Sequence, residues 1–416
     1  MKFRYWKIWL KSKPWRLQWF IYILLLRPFA ETLYFLKETS PLLSPLYWIG
    51  VATPFFALMA ITRYRYPKTE PDKTFGTLAI LVLASAAMTF FGYPSFFSFL
   101  NTFLKLTYIV YIYYFLRIFV QNRTDFIGIL TTMLYASIFP LFNLFYEVLV
   151  HPVSTDTVRL HGLFADVINY ASYLLFSVII IVYFYFQRGK SPMMMKIRPL
   201  YIIIYFGIVF MGMWEIKHMA SIAVFFVVIG LFLFHDVKRR TVQIVLYFII
   251  LVVAILVYGD QFYEEVINPR MEKEIEVVEG QREQTQAFHG RMSRWTWLWG
   301  DWKRSSVFAK LVGYPWDMGF CDHMIGINVH NDYLRMLFFA GIIGFITWLI
   351  FLSRIIRRIK YLNKADKFVS TALLASLFLY SVTTIPTIYV GFLNMYITLF
   401  AYLALPQRVL LKYKND

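Results

Sequence analysis

The chain has 416 residues, 59% of them hydrophobic and 20% aromatic, and the apolar excess lies in runs of roughly 20 residues, the length of a bilayer-crossing helix. That excludes a soluble globular domain, which is nearer half apolar, and a β-barrel, which would show short alternating segments. The net charge of +18, from 42 Lys and Arg against 24 Asp and Glu, falls between the apolar runs as the positive-inside rule expects, so no nucleic acid partner is called for. One cysteine, Cys321, excludes a disulfide framework and a multi-cysteine metal site.

Residues 1–16 carry Lys2, Arg4, Lys7, Lys11, Lys13 and Arg16. They are expected to form a cytoplasmic flank, with Trp6 and Trp15 at headgroup level. The first apolar run follows this basic stretch without a small-residue cleavage site, so no cleaved signal peptide is expected. Membrane helices are predicted near 17–36, 45–62, 76–92, 97–120, 125–149, 164–187, 199–214, 218–235, 241–259, 331–353, 367–386 and 388–405. This is an all-α polytopic membrane protein of about twelve transmembrane helices, with one long loop between the ninth and tenth. Residues 1–259 hold the first nine helices, 260–330 the loop with interfacial helices, and 331–416 the last three helices and a tail. Within the first helix, Arg27 and Glu31 have the spacing of an i,i+4 ion pair, and Lys105 is expected to snorkel.

Basic residues then alternate between the two sides. Arg63, Arg65, Lys68 and Lys73 fall on one side, as do Arg117 and Arg123, Arg188 to Arg198, Lys238 to Arg240, Arg354 to Lys367, and Arg408 to Lys414. Both termini are therefore expected to be cytoplasmic, with 150–163 and 260–330 on the far side. The cations that break the rule are few. They are Arg159 in 150–163, Lys217 and His218 in a tight turn, and Arg291, Arg294, Lys303 and Arg304 in the long loop. That loop spans about 70 residues, far beyond an ordinary connection. Its acidic first half, Glu264 to Glu283, is predicted to be an exposed helix. Its second half sets Trp295, Trp299 and Trp302 at i, i+4 and i+7, an interfacial helix whose tryptophans anchor rather than stack on sugar. No internal repeat, low-complexity tract or separate soluble domain is present.

Chemistry must then come from the helices and the far-side loops. A lipid diphosphate carries its negative charge at headgroup depth, and arginine grips phosphate oxygens through a planar fork that never loses its charge. Arg159 and Arg291 could converge on one such head and stabilise it as it leaves. His330 stands where the loop enters an apolar helix. A lone histidine is usually structural, but a neutral imidazole at that boundary suits a base that takes the proton of an attacking sugar hydroxyl. Asn331 reads first as a helix cap, and Gly341 and Gly344 as packing residues. No paired aspartates lie on the far side, so neither a metal nor another cofactor is expected.

His330-Asn331, nine residues and then Gly341-Ile342-Ile343-Gly344 form a pattern that resembles the C-terminal signature of the O-antigen ligase and O-antigen polymerase superfamily. Gly290-Arg291 followed by Trp295 is similar to a second landmark. Arg159, Gly162 and Phe164 are similar to a third, although Asp166, Val167 and Ile168 replace its Asn-Pro-Asn turn and Asn169 is shifted. Where members show Ser-Arg, this chain has Lys217-His218. The resemblance covers about residues 150–360. It implies an inverting, metal-independent, GT-C-like glycosyltransferase of the bacterial inner membrane with its active site on the periplasmic face. His330, Arg291 and Arg159 would be catalytic, and Lys217, His218, Arg294, Asn331 and His161 would contact substrate. The donor would be an oligosaccharide on undecaprenyl diphosphate. The acceptor would be a lipid-linked repeat unit for a polymerase, working with a chain-length regulator protein, or lipid A core for a ligase. A lipid or glycan transporter is the competing reading, but the chain lacks the two related halves common in that class.

Overall fold

The structure, a computed structural model, describes residues 1–36, 40–93, 95–149, 163–164, 167–188, 193–235, 249, 259–261, 263–283, 287–317 and 329–414. Among them every regular element is helical and none is a strand. The chain opens with α1 (Phe3–Lys11), α2 (Trp15–Thr32), α3 (Pro45–Arg63), α4 (Glu70–Met88) and α5 (Phe96–Phe119). One helical stretch, interrupted at Ser137, follows as α6 (Arg123–Ala136) and α7 (Ile138–Leu149), and then α8 (Val167–Phe186), α9 (Pro199–Ile216) and α10 (Met219–Phe234). The loop region forms α11 (Asn268–Val278), α12 (Ala287–Arg304) and α13 (Val307–Val312). The last part holds α14 (Asp332–Arg358), α15 (Lys364–Thr383), α16 (Val390–Leu403) and α17 (Gln407–Leu411).

Eight helical stretches among the described residues are long and apolar enough to cross a membrane. They are Pro45–Arg63, Glu70–Gly92, Phe96–Phe119, Arg123–Val148, Val167–Phe186, Pro199–Ile216, Asp332–Tyr361 and Lys364–Thr383. The protein is thus a helical, multi-pass membrane protein. Three more predicted spans are helices of a different kind. α2 carries Arg16, Arg27 and Glu31 among its 18 residues, while α10 and α16 have 16 and 14 residues. The predicted span 241–259 lies almost wholly outside the described residues.

Local chemistry moves several boundaries. α4 begins six residues before the apolar run because Thr69 N donates to Asp72 Oδ2 at 2.7 Å, which caps the helix start. The predicted span 125–149 breaks at Ser137, where Pro140 has no N–H to offer Ala136. α8 is apolar all round, as an enclosed helix must be, and it runs through the middle of the bundle against α9, α15, α10, α6 and α16. Trp6, expected at headgroup level, is instead buried against α6. Its indole donates to Thr132 Oγ1 at 2.9 Å, and Trp9 donates to Asp125 Oδ1 at 3.0 Å. The positive charge of α1 faces outward while its tryptophans find polar partners inside. Trp15 is exposed.

Alternate helix ends meet at two faces. At one, buried ion pairs knit the helices: Arg117 Nε meets Asp72 Oδ1 at 2.7 Å, and Arg123 Nε meets Asp366 Oδ2 at 2.8 Å. Asp366 also accepts from Tyr183 at 2.9 Å and Tyr402 at 2.6 Å. Arg354 and Arg358 reach the backbone oxygens of Glu70 and Leu405 at this same end. It is called the basic face below. The opposite end carries residues 287–317 and 329–331 and is called the loop face.

Candidate active site at the loop face

The loop face is built by a segment that folds back onto the bundle. α12 lies along the first turns of α14. At its middle, Trp295 Nε1 donates to Val329 O at 2.8 Å. Near its end, Trp299 and Trp302 stack on each other at 5.0 Å, and both rings pack against Phe338. The three tryptophans expected on one helical face therefore fasten α12 to α14. α13 and the turn after it wedge between α4 and α14, where Ser85 Oγ donates to Val312 O at 3.1 Å. α11 is an exposed helix, as its acidic sequence leads one to expect.

The wedge explains Gly341. Its φ of 69° and ψ of −178° break the helix, so α14 is two helical pieces meeting at a kink. A Cβ there would lie 2.3 Å from Leu311 O. This backbone region is essentially reserved for glycine. The packing role read from the sequence is thus a backbone-on-backbone crossing, and the crossing sets the direction of the half-helix that begins next to His330.

His330 is half-buried, in a left-handed conformation with φ of 48°. The residue before it, Val329, is buried and held by Trp295. The residue after it, Asn331, caps α14: its Oδ1 accepts from Leu334 N at 3.0 Å, and its Nδ2 donates to Val382 O at 3.3 Å. The cap role expected of Asn331 accounts for its Oδ1, while its Nδ2 ties the helix start to the end of α15. Arg291 and Arg294 share the α12 face that carries Trp295, at i, i+3 and i+4. Burial lowers the His330 pKa below its ordinary 6.5, and the charges of Arg291 and Arg294 lower it further.

Lys217 and His218 form the tight turn between α9 and α10, with Lys217 at φ of 51°. His218 Nδ1 lies 2.7 Å from Ser221 Oγ, which in turn lies 2.7 Å from the Tyr380 hydroxyl. Tyr380 and Val382 belong to the same final turn of α15. The His218 turn and the His330 loop are therefore both tied to one helix end. Arg159 and His161 lie outside the described residues. Downstream of them, Phe164 is fully buried and stacks on Tyr170 at 4.8 Å. The same half of the bundle holds the Arg27–Glu31 pair at 2.8 Å, with Tyr173 donating to Glu31 at 3.0 Å beside a small cavity lined by Arg27, Tyr173 and Asn394.

Two groups at this site escape a reading of the sequence. One is the relay of Ser221 and Tyr380 behind His218. The other is a buried set immediately after His330. Asp332 Oδ1 accepts from Arg335 Nε at 2.7 Å and from Thr387 Oγ1 at 2.6 Å, and Arg335 donates to Thr387 Oγ1 at 2.5 Å. A charged i,i+3 pair directly after a capping Asn, at the start of an apolar run, was the available signal. Thr387 carried none. Compared with models of known protein families the chain matches none, and no curated protein matches it.

Proposed function

We propose that the protein is an inverting, metal-independent glycosyltransferase that moves a glycan from a lipid diphosphate to a sugar hydroxyl at the loop face. The observation that carries this reading is a half-buried histidine in a left-handed conformation at the mouth of a membrane-spanning helix, whose pKa burial, and then the charges of Arg291 and Arg294, push below its ordinary value. A neutral imidazole can accept a proton, and the guanidinium groups whose charge it feels are of the kind that hold the oxygens of a diphosphate. In the reaction, His330 takes the proton of the acceptor hydroxyl as its oxygen bonds to the anomeric carbon. The bond from that carbon to the diphosphate oxygen breaks on the opposite face, and the lipid diphosphate leaves with the electron pair. Arg291 and Arg294 offset the charge that gathers on the leaving group. Arg159 would add a third guanidinium. The donor on this reading is a glycan on undecaprenyl diphosphate.

A repeat-unit polymerase and a ligase to lipid A core share this chemistry and differ in acceptor. The deciding experiment gives purified protein the lipid-linked repeat unit alone, and then with lipid A core. Chain lengthening in the first mixture identifies a polymerase, and transfer only in the second identifies a ligase. Movement of lipid-linked glycan across a liposome membrane, with no covalent transfer in either mixture, would overturn the transferase reading.

A further inference from the structure

We propose that Asp332, acting with Arg335 and Thr387, is the positioning residue that fixes where His330 stands, a role that rests on the transferase reading above. His330 belongs to no helix, and its backbone holds a left-handed conformation that residues other than glycine seldom keep. Something must hold it from both sides. Upstream, the hold is Trp295 of α12 on Val329. Downstream, Asn331 reaches Val382, and Asp332 reaches Thr387. Val382 lies in the last turn of α15 and Thr387 in the turn that leads from it to α16, so two consecutive residues after His330 are tied to one corner of the bundle.

The chemistry of the set argues for placement rather than simple adhesion. Asp332, Arg335 and Thr387 are 3%, 7% and 4% exposed. The Thr387 hydroxyl donates to Asp332 Oδ1 and accepts from Arg335, while Arg335 Nε donates to the same Oδ1. Each member thus fixes the other two in a closed ring of hydrogen bonds. Asn331 already caps the helix, so the helix start does not need a buried ion pair. Such a pair returns little net stability once its desolvation is counted, and it is best attested as a device for register. The register set here is that of the first turn of α14 against the α15–α16 turn, two residues from the imidazole.

Thr387→Val removes the hydroxyl without changing charge, and Thr387→Ser restores it. In the full-length protein Thr387→Val is expected to lower kcat on the order of 10²-fold, the effect of a displacement of about 1 Å at a reacting group. KM for the lipid-linked donor should change little, and Thr387→Ser should recover most of the loss. A second measurement is independent of turnover. The rate at which diethyl pyrocarbonate modifies His330, followed by peptide mass spectrometry across pH, reports the titration of the imidazole. In Thr387→Val that titration should move up toward an ordinary histidine as the ring leaves the half-buried place where burial, and then the charges of Arg291 and Arg294, lower its pKa, and in Thr387→Ser it should return. A folded Thr387→Val protein with unchanged kcat, or with unchanged His330 titration, overturns the proposal. If Thr387→Val does not fold, Asp332→Asn takes its place under the same criteria. If the wild-type protein transfers no glycan, the transferase reading fails, while the modification profile still decides whether the set positions His330.

Discussion

A base is useful only in the protonation state that accepts, and at His330 that state is set by its neighbours. Burial and the positive charges of Arg291 and Arg294 lower the pKa below 6.5. The imidazole therefore stays neutral to lower pH than a free histidine, and the acid limb of the rate profile should fall at lower pH than ordinary histidine chemistry would place it. In kcat/KM, which reports the free enzyme, Arg294→Gln should shift that limb upward, because one of the charges opposing protonation is gone. An acid limb that does not move in this variant would mean that Arg294 does not act on His330. Removing the base outright, His330→Ala, should lower turnover by roughly 10²–10⁴-fold while donor binding, measured directly, survives. Near-normal turnover would make His330 structural. Arg291→Lys is a stricter test of the phosphate contact, since an ammonium keeps the charge but cannot reproduce the two-pronged guanidinium. Undiminished activity in Arg291→Lys would remove that role.

At the scale of the element, Gly341 converts a sequence signature into mechanics. Gly341→Ala places a Cβ against Leu311 O and Gly313 N in a conformation only glycine adopts. The backbone strain alone should cost about 1–3 kcal/mol, read as a loss of thermal stability in detergent, and unchanged stability would show that the crossing is not tight. The long apolar helices among the described residues were legible, because a 20-residue apolar run has few alternatives in a membrane, whereas α1, inside a stretch read only as a basic flank, was not. One cap and one ion pair were legible too: Asn331 and the Arg27–Glu31 pair stand as their spacing says. The Leu311–Gly341 crossing and the Thr387 hydroxyl on Asp332 were not. They join residues 30 and 55 positions apart, and nothing local marks one end with the other. The break at Ser137 was signalled by Pro140, but an unbroken apolar stretch concealed it. Glu31→Ala tests the legible pair, because it strips Arg27 of its carboxylate within the bundle. Breaking such a pair costs about 3–5 kcal/mol, and a protein that melts as the wild type does would show Arg27 to be solvated rather than enclosed.

At the scale of the whole molecule, the two faces differ in how they use charge. The basic face holds its most enclosed cations in closed pairs with carboxylates or backbone oxygens, as Arg117 does with Asp72, Arg123 with Asp366, and Arg358 with Leu405. Those residues brace helix ends. The loop face places Arg291 and Arg294 near a histidine, where a second positive charge is unfavourable unless an anion arrives. This asymmetry predicts orientation as well as function. Loops rich in Lys and Arg stay on the cytoplasmic side, so the basic face should be inside and the loop face outside. The single native cysteine, Cys321, makes the measurement simple. In a Cys321→Ser background, Lys303→Cys on α12 and Lys412→Cys beyond α17 sit at opposite faces. A maleimide that cannot cross membranes should label Lys303→Cys in intact cells and Lys412→Cys only after permeabilisation. Labelling of both from outside, or of Lys412→Cys alone, would place the histidine and its arginines away from the expected compartment. A donor presented on the far leaflet could then not reach them.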